Sequence, residues 1–82
     1  MDKSAFLKAA FKEKVHYVLE HGKQISARQF LYYTIKLYSI SDFFAEIWYI
    51  PFSNKIDKVE LLDIDDVLHL YRNDFDISSL LK

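Results

Sequence analysis

The chain has 82 residues, a net charge of −1, one glycine, one proline and no cysteine, and it is 51% hydrophobic and 17% aromatic. Within these residues there is no room for a second domain, no thiol for nucleophilic, redox or thiolate-metal chemistry, and no glycine-rich loop to cradle a phosphate. The hydrophobic content is far from that of disordered chains, yet a domain this small buries only about 60% of its unfolded surface, so stability must come from aromatic packing or from assembly.

Residues 3 to 21 place Leu7, Ala10, Phe11, Lys14, Val15, Val18 and Leu19 at helical spacing, with Lys8, Lys12, Glu13 and Glu20 largely on the other side. Gly22 follows the last periodic residue, where a left-handed cap is expected, and His21 and Lys23 suit the negative end of the helix dipole.

Within residues 27 to 40, the eight from 31 to 38 alternate fully between Leu31, Tyr33, Ile35, Leu37 and Tyr32, Thr34, Lys36, Tyr38, which favours a strand over a helix begun by Ser26 and Gln29. A turn at Ile40, Ser41 and Asp42 leads to a second strand, with Phe43, Ala45, Ile47 and Tyr49 on one face and Phe44, Glu46, Trp48 and Ile50 on the other. Pro51 to Asn54 supply turn chemistry. In the returning strand, Val59 and Leu61 face the core and Lys58 and Glu60 face out. Asp63 is an N-cap, Asp65 and Asp66 sit in the first turn, and Ile64, Val67, Leu68 and Tyr71 form a helical stripe. The tail from Asp74 is expected to form a turn capped by Asp76, with Phe75, Ile77, Leu80 and Leu81 tucked onto the domain.

The expected fold is therefore α+β and two-layered: an N-terminal helix, a three-stranded antiparallel meander and a C-terminal helix, both helices on one sheet face. The other face would carry Tyr32, Tyr38, Phe44, Glu46, Trp48 and Ile50. Half-exposed rings there would show on the order of 400 Å² of apolar surface, enough to mark a binding face. Those six residues are the candidate site, and a second copy or another protein is the expected partner.

Other chemistries find little support. His16 lies one turn from Glu20 and near Glu13, a spacing that fits a surface ion pair better than a metal site. His69 with Asp65 and Asp66 fits a solvated face better than a general base. "DIDD" lacks the glycine and spacing of a calcium loop, and Ser78 and Ser79 have no diagnostic partners. No cofactor is expected and the chain is not expected to be an enzyme.

Charge is uneven: residues 1 to 36 carry seven Lys and Arg against three acids (+4), and residues 37 to 82 carry four against nine (−5). The basic end is too weak for nucleic acid to be an expected partner. The acidic half suggests an alternative role, that of a small inhibitor, antitoxin or anti-defence regulator presenting a negative surface to a basic protein. Neither a signal peptide nor a run of about 20 apolar residues occurs, so a cytoplasmic location without membrane contact is expected. The stretch "KLYSISDFFAEIWYIPFSNKIDKVE" followed by "DIDDVLHLY" resembles a pattern in short uncharacterised bacterial α-β-β-β-α proteins. That resemblance implies a strand over residues 29 to 39 and brings no activity or site residue.

Overall fold

A computed structural model describes residues 1–72; the expectations for Asp74 to Leu81 lie outside the described residues. The order is α1 (Lys3–Lys8), α2 (Phe11–His21), β1 (Lys23–Phe30), β2 (Tyr33–Ile40), β3 (Phe43–Ile50), β4 (Lys55–Leu62) and α3 (Ile64–Tyr71). The strands form one antiparallel sheet in the order β1-β2-β3-β4. The α+β class holds, with four strands in the meander rather than three. The extra strand arises because the chain turns at Leu31 and Tyr32 and pairs residues 23–30 with β2.

The helices do not share a face. Leu37 packs with Leu62, Val67 and Tyr71 under α3, whereas its neighbour Tyr38 packs with Phe6 and Val18 of α1 and α2. Successive strand residues point to opposite faces, so α3 covers one side of the sheet and α1–α2 the other, in place of the expected two layers. Register explains the difference. Ile35 stands opposite Trp48 and Leu37 opposite Glu46, so Ile35 and Leu37 share a face with Trp48 and Glu46, not with Ala45 and Ile47. A one-residue offset in pairing moves a whole strand's side chains to the other face.

The N-terminal helix is also broken. Ala9 and Ala10 are extended, with ψ of 152° and 158°, and this break lets Phe6 reach the core beside Phe43, ring centroids 5.2 Å apart. Gly22 is extended as well, with φ −84°, so it is no left-handed cap. Its need for glycine is steric: a Cβ would lie 2.6 Å from the Val18 carbonyl oxygen and 3.2 Å from both Ile40 and Tyr38. The expectations for the C-terminal helix hold. The Asp63 carboxylate accepts from the Asp66 N–H at 3.0 Å, and Asp66 accepts from the Asp63 N–H at 3.2 Å, a capping box that starts α3. The Asp66 N–H above all holds the Asp63 carboxyl below its ordinary value.

Candidate functional site

The six residues expected on an open face are divided among four places. Tyr38 is buried on the α2 side, its hydroxyl 3.3 Å from that of Tyr49. Phe44, Glu46 and Trp48 lie on the α3 side, Phe44 packed against the α3 cluster. Tyr32 is exposed in the β1–β2 turn, and Ile50 is half-buried at the end of β3. They do not form one surface: among the described residues, α1–α2 pack on one face of the sheet and α3 packs on the other.

Trp48, only 9% exposed, is sealed by its own sheet. Lys58 Nζ lies 3.9 Å from its ring centroid, Arg28 Cζ lies 5.6 Å away, and the Tyr33 and Phe30 rings meet it edge-on at 5.1 and 5.9 Å. Cations beside an indole are held by the ring's negative quadrupole. Among the described residues, Trp48 Nε1 is a buried side-chain polar atom without a hydrogen-bond partner.

Glu46, 2% exposed, sits beside it. Arg28 donates from Nε to Oε2 at 2.9 Å and from Nη2 to Oε1 at 3.3 Å, and the Tyr71 hydroxyl donates to Oε2 at 2.6 Å. A buried carboxylate is tolerated only with such partners. The hydrogen bond to Glu46, and then its negative charge, raises Arg28; burial first, then the bond to Glu46, raises the Tyr71 phenol. The group is a clamp tying β1, β3 and α3 together, with both carboxylate oxygens engaged by the fold.

The surface that remains open lies elsewhere. Phe11 and Leu19 of α2 are 46% and 51% exposed, and with Val15 they form one row along the helix. That row and Ile56 of β4 line a groove of about 900 Å³, bordered by Lys12, His16 and Glu20, beside the sheet's outermost strand. His16 Nε2 lies 2.8 Å from Glu20 Oε2, the expected surface pair. Leu7 at the end of α1 is exposed too. Sequence periodicity puts Phe11, Val15 and Leu19 in one helical stripe with Val18 and does not separate the residues the sheet covers from those it leaves open. The visible signal was the width of the stripe, which exceeds what one sheet contact with Val18 can cover.

A second exposed set marks the sheet end where the β1–β2 and β3–β4 turns lie together: Phe30, Leu31, Tyr32 and Phe52. Leu31 and Phe52 have φ of 56° and 65°, conformations that favour glycine or asparagine. Leu31, Tyr32 and Phe52 project from the turns, Phe30 ends β1 against Trp48, and the concavity that Phe52 borders, about 280 Å³, is lined largely by polar groups of Thr34, Lys36 and Asn54.

The remaining chemistry is local. Asp57 accepts from the Tyr33 hydroxyl at 2.9 Å, and Lys58 pairs with Glu60 at 3.4 Å. Among the described residues no three His, Asp or Glu side chains converge as a metal-ligand set, and no helix is long and apolar enough to cross a membrane. No protein-family model, curated protein or solved structure matches the chain.

Proposed function

We propose that this chain is a non-enzymatic protein-interaction module that docks a protein, itself included, through the apolar groove between α2 and β4. The observation that carries this function is the row Phe11, Val15 and Leu19, which leaves two large side chains about half exposed beside a concavity while Tyr38, Phe43 and Trp48 of the sheet are buried. Apolar side chains arranged in a concave patch with a charged rim are the features of a docking site.

A photo-cross-linking amino acid at Val15 tests it, with one at Asp42, in the turn at the opposite end of β3, as the control. Cells that make the protein should yield a discrete cross-linked product from position 15, lost when Leu19→Glu is added, and none from position 42. Absence of a product at 15, or the same product from both positions, overturns the assignment. A regulator acting through the acidic half would instead release its partner as salt rises.

A further inference from the structure

We infer that the occupant of the α2 groove is a second copy of this chain, docked about a two-fold axis that sets the two α2 helices antiparallel; this rests on the groove being the docking surface proposed above. Charge complementarity singles out this occupant. Phe11, Val15 and Leu19 recur every four residues, and Lys12, His16 and Glu20 form the adjacent row, one residue on. A two-fold axis at the level of Val15, perpendicular to the helices, sets Phe11 against Leu19 of the other copy and Val15 against Val15.

The same rotation keeps both charged rows on one side of the seam. Lys12 of each copy then stands opposite Glu20 of the other, and the pair occurs twice, as a self-complementary interface requires. A parallel arrangement would put the two rows on opposite sides of the seam, where they cannot meet. His16, already 2.8 Å from Glu20, borders the middle of the contact.

The 11 residues of α2 span only about 16 Å. Such a seam is smaller than the roughly 800 Å² per partner of a tight interface, so the dimer is expected to be weak, with a Kd on the order of 100 μM.

Sedimentation equilibrium of the full chain up to about 1 mM, well above that Kd, reads the result. Wild type should dimerise. Lys12→Glu and Glu20→Lys should each weaken the dimer about tenfold or more with an unchanged circular dichroism spectrum, because both positions are on the exposed side of α2. Mixing the two variants should restore association as a heterodimer. The acid introduced at position 12 of one chain then faces the lysine introduced at position 20 of the other, and the native Glu20 of the first faces the native Lys12 of the second.

A chain that stays monomeric at the highest concentration overturns the dimer, as does a mixture no tighter than its components. The groove assignment survives that outcome if position 15 still cross-links to a different protein, and falls with it if position 15 cross-links to nothing. Flotation of a monomeric chain with phosphatidylserine-containing vesicles would make a lipid surface the occupant and overturn the dimer as well.

Discussion

The Tyr71 hydroxyl donates a 2.6 Å hydrogen bond to Glu46 Oε2, so the last residue of α3 closes over an acid sunk in the middle of the sheet. Among the described residues, removing that donor leaves Glu46 with Arg28. Tyr71→Phe should cost about 2 kcal/mol in urea unfolding, the size of a bond to a charged acceptor. Arg28→Ala should cost about as much, less than a fully sealed pair because the Arg28 side chain stays 22% exposed. The double variant Arg28→Leu with Glu46→Leu should recover most of that loss, because no charge is then left buried. A double variant worse than Arg28→Ala would contradict the clamp.

Trp48 separates packing from docking. Trp48→Ala should destabilise the fold by about 3 kcal/mol, the lower end for deleting a large buried ring. Trp48→Phe should lose much less, because it keeps an aromatic face for Lys58 and removes an indole N–H that has no described partner. Thermal unfolding of the three proteins checks the order.

Leu31 lies at φ 56° in the β1–β2 turn and is 77% exposed, so its side chain contributes little to packing while its backbone is strained. Leu31→Gly should raise stability by about 1 kcal/mol. A loss of that size would show that the side chain makes a contact that offsets the strain.

Tyr33 titrates late. Its bond to Asp57, and then to Tyr32, pushes the phenol from 10.0 to about 12. A phenol raised on folding adds stability that is complete below pH 10 and disappears as pH rises through 12. Absorbance titration should show a late component that is missing in Tyr33→Phe, and Asp57→Asn should move it down. Asp63 works in the other direction: lowered by the Asp66 N–H, it stabilises above its ordinary value of 3.8 and that contribution is lost as pH falls below it.

Much of the architecture was legible in the sequence. α3 has its cap, acids and stripe in order, and β3 and β4 alternate between recognisable turns, whereas the strand expected over residues 27 to 40 runs through Leu31 and Tyr32, where the chain turns to start β2. β1 was hidden because "KQISARQF" is an edge strand, half exposed on both sides, with its register interrupted between Gln24 and Ser26. Which sheet face meets which helix was not legible. β2 and β3 are apolar on both faces, so hydrophobicity fixes no phase between them, and the choice depends on Glu46 finding Arg28 and Tyr71, 18 and 25 residues away. The exposure of the Phe11, Val15 and Leu19 row was hidden for a related reason. A continuous first helix would bury Phe11 and Leu19, but the break at Ala9 and Ala10 hands the core to Phe6 and Val18 and turns that row outward.

Thermal unfolding and sedimentation equilibrium of Leu19→Glu and Trp48→Ala, side by side, distinguish a docking helix from a docking sheet. If α2 is the docking surface, Leu19→Glu keeps the wild-type Tm and loses association, whereas Trp48→Ala lowers the Tm and its folded fraction still associates. The reverse pattern, with association lost in a fully stable Trp48→Ala protein and kept in Leu19→Glu, would return the binding site to the sheet and contradict the account.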